Sequence, residues 1–236
     1  MTDNLNFEKI IENIDGRECV IFKPANSNGK WVIKTEYLDA FPAVQNELLG
    51  MGYHIIHSPN KTRWCLDEDT DAQAKLIMTM HQKYGLNKKG GTIGMSCGGM
   101  QSIFLAAKYP ELVSCMYLDA PVINFLSCPA GVGRDISDDM MNEFTNARGI
   151  GISELLSFRR HPLDFFDKII DAKIPVMLVC GDSDTVVPYE ENGRLLYDAY
   201  KGAGIEITQI IKQGCDHHPH SLEDNTPIIE FFEKFA

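Results

Sequence analysis

The sequence predicts an α/β protein built on a mostly parallel, twisted sheet with helices on both faces. Three observations carry that expectation. Short apolar runs of strand length alternate with amphipathic stretches of about 10–15 residues, the pattern of parallel strands joined by helical crossovers. Apolar residues make up 44% and charged residues 23% of the 236, which is ordinary for a globular chain and unlike a disordered one. Neither an internal repeat nor a Pro/Ser-rich linker divides the chain, so a single domain spanning 1–236 is expected.

The elements follow in order. Cys19–Lys23 and Trp31–Lys34 are short β-rich runs separated by Asn26, Asn28 and Gly29, which reads as a hairpin and adds an antiparallel edge. From Pro42, Val44, Leu48 and Met51 recur at helical spacing, and Gly50 and Gly52 end that helix. Tyr53–His57 is the next strand. Asp71 to Tyr84 places Leu76, Ile77, Met80 and Tyr84 on one helical face, and Gly85 closes it. Gly91–Met95 reads as a buried strand, followed at once by a helix from Gly98 through Lys108 that Pro110 terminates. Val113–Leu118 is another strand.

The rhythm then breaks. The stretch at about 121–161 has no convincing strand, only Gly131, Gly133 and two helix candidates, Ser137–Asn146 and Ser153–Arg159. An insertion of this size between sheet strands is expected to work as a small helical lid. Regular order returns with the helix Pro162–Ala172, the strand Pro175–Cys180, the helix Tyr189–Ala203 and the strand Ile205–Ile211. The last helix starts with Thr226 as N-cap and Pro227 at its first position.

Charge narrows the function classes. Lys plus Arg is 22 against 33 Asp plus Glu, a net charge of −11, with no basic run to offset it. Such a surface repels phosphate backbones and anionic lipid, so neither nucleic acid nor membrane is an expected partner. No stretch approaches the roughly 20 apolar residues of a bilayer span. Met1–Glu8 lacks the basic and apolar regions of a signal peptide. The seven scattered cysteines suit a reducing compartment, so a cytoplasmic location is expected.

Three loops carry the chemistry, each directly after a strand. Gly94-Met95-Ser96-Cys97-Gly98 fits G-x-S-x-G in the context that pattern requires, a strand before and a helix after. The sharp turn lifts a serine hydroxyl clear of the sheet, and the bare helix start at Gly98-Gly99 suits an oxyanion. Gly181-Asp182-Ser183-Asp184 follows the strand Pro175–Cys180, on the sheet edge where functional crevices form. Asp184 is the favoured acid, Asp182 is expected to bond its own turn, and Asp119, ending the strand Val113–Leu118, is the competitor. Gly214-Cys215-Asp216-His217-His218-Pro219-His220 supplies the base. Ser96, Asp184 and His217 then stand in the Ser…Asp…His order of α/β-hydrolases. A metal reading of the same loop is set aside, because Pro219 constrains it and no second Cys/His cluster completes a site. His54, His57, His81 and His161 read as ordinary surface or core histidines.

On Gly94–Gly99, Gly181–Pro188 and Gly214–Pro219, together with the sheet-and-helix pattern from about Cys19 onward, the chain resembles an α/β-hydrolase. The likeness is to the esterase and prolyl-oligopeptidase-like branch, close to the dienelactone-hydrolase type. That resemblance implies His217 as the base over His218, which is left to hold the loop or touch substrate. It also implies an oxyanion hole of two backbone amides, one from Cys97. The His-Gly or glycine run such enzymes carry after the third strand is here Lys34-Thr35-Glu36-Tyr37-Leu38, which makes Tyr37 the second donor. Glu36 is either satisfied by loop amides or in contact with a polar substrate group.

The implied reaction is cofactor-free acyl transfer to water through Ser96, on a small carboxylic ester. A peptidase or acyltransferase would use the same residues, and a non-catalytic ligand-binding protein is the rival from another class. Arg134, Asp135, Asp138, Asp139, Arg148 and Phe158 lie in the expected lid. Arg159 and Arg160 stand at a helix end, and Trp64 and Phe125 are either pocket lining or core. The sequence is silent on oligomeric state.

Overall fold

The computed structural model describes residues 6–132 and 138–236, with Asp138 described by its backbone alone. The expectations placed on Gly133, Arg134, Asp135 and Ser137, and on the side chain of Asp138, lie outside the described residues. The strands are β1 (Phe7–Ile14), β2 (Arg17–Pro24), β3 (Trp31–Lys34), β4 (His54–His57), β5 (Gly90–Met95), β6 (Val113–Asp119), β7 (Val176–Gly181) and β8 (Ile207–Lys212). They form one sheet in the order β1-β2-β4-β3-β5-β6-β7-β8. From β4 to β8 every pair is parallel, and β1 and β2 add an antiparallel edge. The order turns back at β3, so β5 takes a central place and its C-terminal end opens on the crevice side of the sheet.

The antiparallel edge is where the sequence expectation fails. Cys19–Lys23 does not pair with Trp31–Lys34. It pairs with β1, an element the sequence reading lacked, through a turn at Asp15-Gly16 with both residues at positive φ (57° and 78°). An Asp-Gly turn of that hand matches the twist of a hairpin. β1 escaped notice because most of its side chains are exposed and it carries no apolar alternation strong enough to flag it. The expected turn residues are used elsewhere: Asn28 N–H donates to Gly52 O, and Asn87 N–H donates to Gly29 O, which seats β3 between β4 and β5.

The helices are α1 (Ala43–Gly50), α2 (Asp67–Tyr84), α3 (Cys97–Lys108), α4 (Asp138–Arg148), α5 (Ile152–Leu155), α6 (Phe166–Asp171), α7 (Gly193–Ala203) and α8 (Thr226–Phe235). Strand periodicity sorts the core into two layers. Ile33 and Ile56 face one side with Leu76, Ile103 and Leu196, while Val32 and Ile55 face the other with Leu48, Ile228 and Phe232. Helix α2 begins at Asp67, four residues before the expected start at Asp71. Asp67, Glu68 and Asp69 occupy its first turn, where negative charge suits the helix dipole, and Asp69 accepts the Leu66 N–H. At α8 the cap is Asn225, one residue before the expected Thr226.

Between β6 and β7 there is no strand among the described residues. Helices α4 and α5 pack on a small core shared with Met100 of α3, Trp64 and Val187, in which Phe144 packs edge-on against Trp64 at 5.2 Å between ring centres. Two arginines tie α4 down. Arg63 forms a forked pair with Glu143, and Arg148 donates to the carbonyls of Trp64 and Cys65. No described helix is long and apolar enough to cross a membrane.

Candidate active site

Ser96 stands between β5 and α3 at φ 53°, ψ −118°, a conformation L-residues rarely adopt. Strain of this kind costs on the order of 1–3 kcal/mol and persists only where surroundings enforce it. Here they do. Ser96 N–H donates to Asp119 O at 2.9 Å, and Ser96 O accepts from Gly99 N–H and Val122 N–H at 3.0 and 3.1 Å. Two glycines make the turn possible. A Cβ on Gly94 would lie 2.5 Å from Gly98 O, and one on Gly99 would lie 2.4 Å from Pro121 Cβ. Gly99, outside the five-residue pattern, is thus more tightly enclosed than Gly98.

The three expected side chains meet. His217 Nε2 lies 3.1 Å from Ser96 Oγ, and His217 Nδ1 lies 2.8 Å from Asp184 Oδ2. Because the carboxylate only accepts, Nδ1 carries the proton and Nε2 is left to accept from the serine hydroxyl. Asp184 is buried, and its other oxygen accepts the Val186 and Val187 N–H groups at 2.9 and 2.7 Å. The carboxylate is therefore fixed from both sides. Asp182 does not bond the amides of its own turn: its carboxylate accepts the Gly214 N–H of the neighbouring loop at 2.7 Å and the Ser183 hydroxyl at 3.0 Å. Cys97, adjacent to Ser96, is no rival nucleophile, since burial pushes its thiol up to about 11.

Asp119 has another partner. It is fully buried and accepts from His220 Nδ1 at 2.8 Å, from the Ser221 N–H at 2.7 Å and from the Tyr117 hydroxyl at 2.7 Å. A second carboxylate–histidine pair thus lies beside the first, and sequence reading missed it. A cavity of about 370 Å³ opens over Ser96, lined by Tyr37, Phe41, Arg63, Met140 and Val186 as well as His217, His218 and His220. Of these, Phe41, Arg63 and Met140 carried no local sequence signal for the site, and His220 stood in the base loop without a role of its own.

Other expected residues fall into place or out of it. Tyr37 is at φ 53°, its ring lines the cavity, and burial together with the neighbouring Cys97 thiol pushes its hydroxyl far above the usual phenol range. Among the described residues no acceptor takes the backbone N–H of Tyr37 or of Cys97. His218 is exposed at the cavity wall and stacks on Phe41 at 5.5 Å. The Glu36 carboxylate is taken by Asn60 Nδ2 and Gln101 Nε2, at 2.9 and 2.6 Å, and does not line the cavity. The substrate contact weighed for it is corrected accordingly: amide side chains satisfy it internally. Trp64 and Phe125 are core, with no exposed surface. Arg160 pairs with Asp67, and Arg159 donates to the Phe158 carbonyl.

Comparison with known proteins agrees with this architecture. Among solved structures, the chain is similar to dipeptidyl peptidase 4 of Porphyromonas gingivalis, at 14% identity and a TM-score of 0.73, covering 98% of this chain and 35% of that one. It is similar to an esterase of Pyrococcus furiosus at 18% identity and a TM-score of 0.68, covering 98% and 91%. A truncated carbohydrate esterase from gut microbiota gives 14% identity and a TM-score of 0.71, covering 98% and 97%. The chain therefore spans about a third of the length of the first of these peptidases. These likenesses establish the α/β-hydrolase fold. No curated protein sequence matches the chain. The model of the prolyl oligopeptidase family matches residues 57–236, a stretch that includes Ser96, Asp184 and His217, and to that family the chain belongs.

Proposed function

We propose that the protein is a serine hydrolase that cleaves small carboxylic esters through an acyl-enzyme on Ser96. The observation that carries this reading is the unbroken series Asp184–His217–Ser96, at 2.8 and 3.1 Å, at the mouth of a cavity. Ser96 Oγ attacks the carbonyl carbon while its proton passes to His217 Nε2, and Asp184 stabilises the imidazolium. The backbone N–H groups of Cys97 and Tyr37, which meet no acceptor among the described residues, serve the tetrahedral oxyanion, each such donor being worth about 3–4 kcal/mol. His217 then protonates the departing alkoxide, and water repeats the cycle on the acyl group. None of these steps uses a cofactor. The insertion at about 121–161 acts as the lid of a single domain, with Met140 on α4 lining the cavity. His218, which also lines the cavity, touches substrate.

The ester reading is supported by the small cavity with apolar walls from Phe41, Met140 and Val186, sized for a short acyl group. A peptidase is the second reading, favoured by the family match and by the peptidases among the structural neighbours. Treatment with a fluorophosphonate followed by intact-mass measurement tests the common core of both. One adduct is expected on the wild type and none on a folded Ser96→Ala variant. An unlabelled wild type, beside a control esterase that labels, would remove the serine-hydrolase reading. Turnover of short p-nitrophenyl esters in preference to aminoacyl p-nitroanilides is expected, and the reverse preference would replace the ester reading with the peptidase one.

A further inference from the structure

The loop after β8 places three histidines around one point. The ring centres of His217, His218 and His220 are 4.8, 5.0 and 4.9 Å apart, close to an equilateral triangle, and one nitrogen of each lies within 4.8 Å of the others. Two of the rings are already oriented as metal-ligating histidines usually are. His217 and His220 each hold their Nδ1 proton on a buried carboxylate, Asp184 and Asp119, which puts the lone pair of each ring on Nε2. His218, on the exposed side, has neither nitrogen committed to a hydrogen bond among the described residues and packs only against Phe41 and its histidine neighbours. All three rings line the cavity above Ser96, so an ion entering from solvent reaches them.

We propose that His217, His218 and His220 form a binding site for a divalent first-row transition metal, Zn²⁺ in particular, and that occupation switches the hydrolase off. Three neutral imidazoles and an open fourth position are a donor set that suits Zn²⁺ and Cu²⁺ and is ignored by Mg²⁺ and Ca²⁺, which take oxygen ligands. With Zn–N bonds of about 2.0–2.1 Å, the nitrogens must close to roughly 3.3 Å. His218, exposed at the surface, moves most freely, and His217 and His220 must also close on each other. Two carboxylates behind the rings offset the ion's charge, against Lys212, 4.0 Å from Asp119, the buried Lys34 ammonium and the Arg63 guanidinium on the cavity wall. Inhibition follows from one lone pair having two uses: His217 Nε2 cannot bind the metal and accept the Ser96 proton. That inhibitory half rests on the function proposed above, whereas the binding half does not.

The test separates them. Ser96→Ala protein is titrated with Zn²⁺ against a chromogenic chelator, which needs no catalysis. One ion per chain is expected, with affinity falling at least tenfold in Ser96→Ala/His218→Ala and unchanged in Ser96→Ala/Cys215→Ser, which removes the one cysteine that is not buried. No stoichiometric binding, or loss with Cys215→Ser in place of His218→Ala, overturns the site. On the wild type, Zn²⁺ is expected to slow fluorophosphonate labelling at least tenfold, with full recovery in EDTA and no effect of Mg²⁺. Labelling that proceeds equally fast with the site filled overturns the switch. A wild type that never labels, even in EDTA, while the titration still finds the site, instead condemns the hydrolase reading.

Discussion

Two carboxylate–histidine pairs lie side by side at the C-terminal edge of the sheet, alike by almost every measure. Asp184–His217 and Asp119–His220 share a 2.8 Å contact to Nδ1, near-complete burial, and a histidine from the same loop. They differ in what stands at the far nitrogen. His217 Nε2 meets Ser96 Oγ, whereas no described side chain within hydrogen-bonding distance meets that of His220. They differ also in how the acid is held. Asp184 gives one oxygen to the backbone of its own loop, while Asp119 gathers Tyr117, His220 and Ser221 from two elements of the fold. A buried Asp–His pair is therefore no signature of catalysis. The nucleophile it addresses distinguishes a reactive pair from a structural one.

The largest effect that would break this contrast is on rate. Asp184→Asn retains an oxygen for the Val186 and Val187 amides but presents an NH₂ group to His217 Nδ1. The ring then turns its proton toward Ser96, and turnover is expected to fall by about 10⁴ with little change in melting temperature. Ester hydrolysis beside a thermal melt reads both. The next effect is on stability. Asp119→Ala strands three buried donors at once, and a loss of about 3–5 kcal/mol is expected by urea unfolding. The fraction that stays folded should label at Ser96 within about tenfold of wild type, a difference of about 1.4 kcal/mol. If Asp119→Ala slowed labelling as much as Asp184→Asn while leaving stability intact, the two pairs would have to exchange roles.

The contrast also marks what the sequence could disclose. Gly94–Gly98 was legible because strand, turn and helix are contiguous, so a local pattern carries its own structural context. The acid loop was legible for the same reason, standing directly after a strand. Asp119 and His220 are 101 residues apart, and nothing local to either announces the other. The edge hairpin failed in the same way. Turn residues at Asn28-Gly29 mark a reversal but not the partner, and parallel pairing of β3 with β4 and β5 is decided by burial across the sheet. The anchors of α4 follow suit: Arg63 and Glu143 read singly as surface charges, and only the fold makes them a clasp.

The smallest expected effect sets the paired histidines against the unpaired ones. The rings of His57 and His161 are buried with no carboxylate bonded to them; His57 Nδ1 bonds Lys34 O, and His161 Nδ1 accepts the Phe125 N–H at 3.0 Å, while Asp164 takes the backbone N–H of His161. Burial holds both below the usual histidine range. A base whose folded-state pKa is depressed binds its proton more readily when unfolded, so the stability it contributes is complete above about pH 6.5 and is lost as pH falls toward the folded value. The carboxylates held low, Glu12 and Asp71 among them, act only below about pH 4.5, so the histidine window stands apart. Melting temperature is therefore expected to decline between pH 6.5 and 5. His161→Gln, whose amide oxygen still accepts from Phe125, should flatten that decline. His161 then clamps the base of the lid only while neutral. An unchanged slope in the variant would assign the acid sensitivity to His54 and His57, the other buried histidines that burial holds low.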